Sequence, residues 1–147
     1  MPPADPAQTV VLDASVAVRW VVSETGSDEA AALLERDYSW IAPRLLLTEV
    51  ASALRRKAAD GDLEPTLASE ALDVLLHAVA DGIVRLAEDE RIMGQALRLA
   101  LSLQHKVPDC LYLAAAEREG AALATADSRL ARLARSRGIS VFQIPHA

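Results

Sequence analysis

The sequence predicts an α/β domain, a three-layer α/β/α sandwich around a mostly parallel central sheet. Short apolar, β-rich runs alternate with longer segments of helical periodicity along most of the 147 residues. That order calls for parallel strands joined by crossover helices on both faces of a sheet. The length suits one domain, and 52% hydrophobic residues give it a core to bury. No internal repeat, low-complexity tract or linker divides the chain.

Residues 1–8 are proline-rich and read as a loose tail ahead of a single domain over 9–147. The run Thr9-Val10-Val11-Leu12 has the pattern of a buried parallel strand. Residues 14–22 suit a helix. Ser27 opens another through 36, with Asp28 and Glu29 in its first turn. A short strand is expected over 39–42, ended by Pro43. Residues 44–59 carry a strong helical pattern, closed by Asp60-Gly61-Asp62. Pro65 stands in the first turn of a helix to 80, which Asp81-Gly82 ends. A strand over 83–86 and a helix over 89–104 follow. Pro108-Asp109 opens a helix to 119, and Gly120 stops it. A strand over 121–124, a helix over 128–137 and a strand over 140–144 complete the alternation. In such sheets, sites gather at the carboxyl ends of the strands, where strand order reverses.

The net charge of −6 argues against a protein that holds nucleic acid by charge alone. Acids gathered around bound cations would reverse the local field. The single cysteine, Cys110, forbids a disulfide within the chain and is expected to pack as a small apolar residue. Residues 1–8 lack the basic-then-apolar order of a signal peptide. No apolar run approaches the roughly 20 residues that span a bilayer; the best, 10–22, contains Asp13 and Arg19. A soluble cytoplasmic protein with no membrane partner is the expectation.

Four acids draw the eye. Asp13 follows the first apolar strand and opens a helix. Asp127 stands two residues beyond the strand 121–124, also at a turn into a helix. Asp109 follows Pro108 at a third helix start. For each, helix capping competes with a functional role, because aspartate caps well. Glu49 lies inside a helix, where capping cannot explain it. Its neighbours at three and four residues are Leu45, Leu46, Ser52 and Ala53, with no base to pair. An acid on an apolar helical face is costly to bury alone, although a wet edge would also accommodate it.

Carboxylates gathered at one point repel and raise one another's pKa values. Hard cations such as Mg²⁺ or Mn²⁺ relieve that repulsion and prefer oxygen ligands. His77, His105 and His146 are scattered, so zinc is not indicated. An acid-only divalent site suits phosphoryl chemistry, in which the ion lowers the pKa of a bound water and steadies the leaving oxygen.

The residues then resemble a known family. Val10-Val11-Leu12-Asp13-Ala14-Ser15-Val16-Ala17 resembles the first motif of PIN-domain nucleases. Ala42-Pro43 with Leu47-Thr48-Glu49-Val50 resembles the second, 107–114 around Pro108-Asp109 the third, and Leu123-Ala124-Thr125-Ala126-Asp127 the fourth. Four motifs in register span nearly the whole chain, and the single-domain length resembles VapC-type toxins of toxin–antitoxin pairs. The resemblance implies an Mg²⁺- or Mn²⁺-dependent endoribonuclease, a homodimer and inhibition by a small cognate antitoxin. By motif, Asp13, Glu49 and Asp109 would hold the metal, and Asp127 would complete the site or hold a second ion through water. Ser15 and Thr125 would orient acids or waters. Ser52 stands where the family often has asparagine. Few bases flank the motifs; Arg19, Arg44, Arg55, Arg56 and Lys57 are the candidates for RNA contact, while the last three also suit a solvated helix end.

Two other functions fit parts of the pattern. A flavodoxin-like phosphoacceptor domain also binds Mg²⁺ at strand ends. It would want a second acid beside Asp13, where Ala14 stands, and a lysine after a late strand, whereas the only lysines are Lys57 and Lys106. A catalytically inactive PIN-like partner-binding module would bind metal without cleaving RNA.

Overall fold

In the computed structural model, which describes residues 8–146, strand β1 (Gln8–Leu12) occupies the middle of a five-stranded sheet. Val10, Val11 and Leu12 are fully buried, as expected of a strand covered on both faces. Helices α1 (Ala14–Val21) and α2 (Ser27–Leu34) lead to β2 (Tyr38–Pro43), and α3 (Leu45–Ala59) and α4 (Pro65–Ala80) lead to β3 (Val84–Ala87). Helices α5 (Asp89–Leu103) and α6 (Val107–Glu119) return the chain to β4 (Ala122–Thr125). Helix α7 (Ser128–Ser136) then connects to β5 (Val141–Gln143).

Every strand pairing is parallel, and the order is β3-β2-β1-β4-β5. The chain builds outward from β1 through β2 and β3, then crosses back to lay β4 on β1's other side. The reversal point therefore lies between the carboxyl ends of β1 and β4, where a crevice opens in folds of this class. Leu12 pairs with Ala124, and the Asp13 amide donates to the Ala124 carbonyl at 3.1 Å. The alternation of a strand splits β1 between two cores. Val10 and Leu12 pack with residues of α1, α2, α3 and α4. Val11 packs with α5, α6 and α7.

Most element boundaries fall within a residue or two of the expected ones. Pro43, expected to end its strand, is instead that strand's last residue, in register with Ala87. The tail expected over 1–8 lies outside the described residues except for Gln8, which opens β1 opposite Tyr38. Two details fix the frame around the crevice. The amides of Arg44 and Leu45 at the start of α3 donate to the Asp89 carboxylate at 2.7 and 3.2 Å, so α5 caps α3 from outside. Gly26 holds a φ of +91°, and a Cβ there would stand 2.4 Å from the Pro145 carbonyl oxygen. Only glycine fits that turn.

Candidate active site

The β1–α1 and β4–α7 turns meet at the reversal point, and their side chains are stitched together. Asp13 occupies the N-cap position of α1 but makes no capping bond. Its Oδ2 instead accepts from Ser15 Oγ at 2.5 Å and Thr125 Oγ1 at 2.8 Å. Those hydroxyls accept in turn from the backbone of the other turn: Ala126 N donates to Ser15 at 2.9 Å and Asp127 N to Thr125 at 3.0 Å. Asp13 is only 7% exposed. Burial pushes its pKa up to about 6 against the pull of the two hydroxyls, and the charges of Glu49 and Asp109 add to the rise.

Glu49 faces the same crevice from α3, half-buried as its apolar helical neighbours imply. Tyr112 Oη donates to its Oε1 at 2.5 Å. Burial raises its pKa; the phenol bond opposes that, Asp109 adds to it, and Lys106 and Arg56 pull the other way. Tyr112 is fully buried. Burial, then the charges of Asp13 and Glu49, push its pKa far up, so it remains a proton donor to Glu49.

Asp109 is not a cap. Lys106 holds the N-cap position of α6, and Asp109 stands in the first turn with Oδ2 at 2.6 Å from His105 Nε2. Asp127 does cap its helix: Oδ1 accepts from the amides of Arg129 and Leu130 at 2.9 and 3.1 Å. The capping alternative thus holds for Asp127 and fails for Asp13 and Asp109.

All four acids, with Ser15, line one open cavity of about 1110 Å³. Sequence reasoning missed three features of the site. His105, one of the histidines read as scattered, holds Asp109 from behind, and His146 lines the cavity. Tyr112 sits within an apolar run that reads as core. Lys106, Arg129 and Arg132 line the cavity, although none was a candidate for RNA contact. Of the bases that were, Arg19, Arg56 and Lys57 line it and Arg44 and Arg55 do not. The Arg19 guanidinium is already engaged within the fold. It is buried, donating to the carbonyls of Thr25 and Ser15 at 2.7 Å each and pairing with Glu24 at 3.3 Å. Glu24 also pairs with Lys57. These contacts brace the turn between α1 and α2.

Among the described residues, no three His, Cys, Asp or Glu side chains converge closely enough to grip one ion by themselves. The reason is local. Asp13 is held by two hydroxyls, Asp109 by His105 and Asp127 by its cap. The donors that remain are oxygens of mutually repelling carboxylates around an open cavity. That set fits a hard divalent cation of the kind that keeps several waters and takes one or two carboxylates rather than an all-protein cage.

Residues 10–136 match the family model for the PIN domain. Among solved structures, the chain is similar to PAE2754 from Pyrobaculum aerophilum at 22% identity and a TM-score of 0.68, over 92% of this chain and 89% of that one. It is similar to VapC20 of Mycobacterium tuberculosis, a sarcin–ricin loop cleaving toxin, at 15% identity and a TM-score of 0.67, over 84% and 93%. It is also similar to VapBC2 from Rickettsia felis, bound to a DNA fragment from its promoter, at 12% identity and a TM-score of 0.62, over 93% and 99%. At these identities the likeness is one of fold. The search of curated proteins found no match. No helix among the described residues is long and apolar enough to cross a membrane.

Proposed function

The chain belongs to the PIN-domain family, and from that membership we propose that it is a divalent-metal-dependent endoribonuclease and the toxin of a toxin–antitoxin pair. One observation carries the nuclease reading: Asp13, Glu49 and Asp109 bear electrostatically on one another at the strand-order reversal, in a single cavity. These three acids would hold a divalent cation such as Mg²⁺ or Mn²⁺, with Asp127 completing the site through water. Such an ion would supply activation of a water and relief of charge on the phosphate oxygens.

The chain's own residues do the positioning. Ser15 and Thr125 fix the rotamer of Asp13, Tyr112 fixes Glu49, and His105 fixes Asp109. Each bond leaves its carboxylate a second oxygen with which to meet a hydrated ion. The likeness to VapC20 and VapBC2 supports RNA as substrate and a small antitoxin as partner. The antitoxin packs on α2 and α3 and places a basic side chain among the acids. Two copies of the chain form a homodimer, and both partners act in the cytoplasm.

Purified protein should cleave single-stranded or looped RNA with Mg²⁺ or Mn²⁺ and stop in EDTA. Either ion should also raise the melting temperature by ordinary linkage. Undiminished cleavage in EDTA removes the metal from the mechanism. Growth that is unaffected by high expression of an active enzyme removes the toxin assignment and leaves the nuclease. One other reading is a partner-binding module without activity, since among the described residues no three His, Cys, Asp or Glu side chains form a ready-made ligand cluster. Metal binding with no cleavage of any RNA would establish that module instead.

A further inference from the structure

The cavity that holds the acids is a groove with α3 on one side and α7 on the other, and the bases along it differ in what already occupies them. Arg19 and Lys57 are tied to Glu24. Arg56 and Lys106 bear on Glu49. Arg129 and Arg132, both exposed on α7, line the groove, and among the described residues neither takes a carboxylate partner. We propose that α7 is the phosphate-binding wall of this site, with Arg129 and Arg132 gripping the backbone of single-stranded RNA beside the scissile phosphate. This rests on the nuclease reading and names where its substrate lies.

The helix is built for that task. In a chain of net charge −6, Ser128–Ser136 holds three arginines and no acid. Leu130, Ala131 and Ala134 are buried, which fixes the rotation of the helix about its axis and turns the arginines outward. Arg129 and Arg132 are three residues apart and share a face. Arg135 is drawn aside, donating to Gln143 Oε1 at 3.0 Å, and does not line the groove. The Asp127 cap fixes where the helix begins, so one turn sets both an acid of the site and its basic wall. Two guanidiniums on a rigid helix match the fork geometry that phosphate oxygens accept.

The groove also says which form of RNA fits. Among the described residues no Phe, Tyr or Trp lines it, while two exposed guanidiniums do, so the contact argued here runs through the backbone. Asp13, at its floor, is nearly inaccessible. A single strand can bend a phosphate down to it, whereas the phosphates of a regular helix stay on its outside. The wall therefore positions the strand and leaves sequence choice to other surfaces.

The test is binding of a short, fluorescein-labelled, mixed-sequence single-stranded RNA by the metal-free protein in EDTA, read by anisotropy at about 50 to 200 mM salt. Arg129→Gln with Arg132→Gln should raise Kd roughly tenfold or more at the low-salt end and flatten the salt slope by roughly 0.7 per charge removed. With Mn²⁺ present, the same variant should raise KM and leave kcat nearly unchanged. Arg85→Gln with Arg91→Gln, on β3 and α5, removes the same charge away from the groove and should change neither number. Equal weakening by that control, or an unchanged Kd and slope in the α7 variant, overturns the proposal while the nuclease reading stands. Failure of the unaltered protein both to bind and to cleave RNA overturns the two together.

Discussion

Asp13 and Asp127 each stand just past a buried parallel strand, at the last residue before a helix, in extended backbone with φ −78°, ψ 150° and φ −83°, ψ 109°. At Asp127 the carboxylate turns inward and caps, accepting two amides on Oδ1. At Asp13 it turns away from the helix start and accepts two hydroxyls on Oδ2. The difference lies in the neighbours. Ser15 and Thr125 reach Asp13 from either turn. Around Asp127, the Thr125 hydroxyl is already bound to the Asp127 amide and turned toward Asp13. The same residue at the same kind of junction is thus a structural cap in one place and a buried, uncapping acid in the other. Burial without a cap has a cost in stability, which a cation bound beside Asp13 would relieve.

The largest expected effect follows from that asymmetry. Asp13→Asn should lower cleavage a hundredfold or more, on the scale of about 3 kcal/mol in the barrier, while the fold persists. Glu49→Gln should do the same, because it keeps shape and helix propensity and removes only the charge. The double variant with Asp109→Asn should fall little below the worse single change, since groups acting as one unit are non-additive. Cleavage rates beside circular-dichroism melts decide it. Near-normal activity in folded Glu49→Gln would take Glu49 out of the site.

The next effect is on stability. The folded-state pKa of Asp13 is raised from 3.8 to about 6. Below about pH 4 the group is protonated in both states. Between pH 4 and 6 the folded protein keeps a proton that the unfolded chain releases, so stability falls as pH rises through that window. The loss is on the order of 3 kcal/mol at most, complete above about pH 6. Glu49 is shifted the same way and adds to the slope. Denaturant melts in EDTA should show this fall, and Asp13→Asn should flatten it. A metal-free protein whose stability instead rises from pH 4 to 7 would mean Asp13 is stabilised in its charged form without any ion.

The fold was legible because its signals are local. Apolar runs such as Thr9-Val10-Val11-Leu12 and stops such as Pro65, Asp81-Gly82 and Gly120 act within a few residues, and the helix Pro65–Ala80 falls where its punctuation puts it. The site was legible only as residue types at junctions. Cap and non-cap look alike in sequence because what separates them crosses the chain: Thr125 reaches Asp13 from 112 positions away. Tyr112 reaches Glu49 across 63 and was hidden in a run that reads as core. His105 lies just before α6, where no helical spacing ties it to Asp109. Arg129 and Arg132 lie on the exposed side of α7, and no sequence spacing ties them to the cavity they line.

A smaller effect tests the cap itself. Asp127→Ala removes the acceptor of two amides and should cost about 1 kcal/mol, or roughly 2–4 °C in Tm, with or without metal. Asp13→Asn should lack that penalty in the metal-free protein, because no amide is capped there and the amide oxygen still accepts from Ser15 and Thr125. A loss in Asp13→Asn as large as that in Asp127→Ala would mean the two junctions do the same structural work.

The smallest expected change is the most discriminating. Asn caps a helix as well as Asp, so Asp127→Asn should leave the melt within a few tenths of a kcal/mol of the unaltered protein. Its effect on cleavage then reports on charge alone. Both cap bonds fall on Oδ1, so the cap does not need Oδ2, and the group lines the cavity with Asp13, Glu49 and Asp109. If Asp127 meets an ion through water, an amide that still accepts a hydrogen bond should preserve part of that contact. The rate should then fall by less than it does in Asp13→Asn, with a weaker response to Mg²⁺ at low concentration. A rate as low as that of Asp13→Asn would make Asp127 a direct ligand as well as a cap. An unchanged rate would make it a cap and nothing more, and the site would reduce to the three acids that no helix end requires.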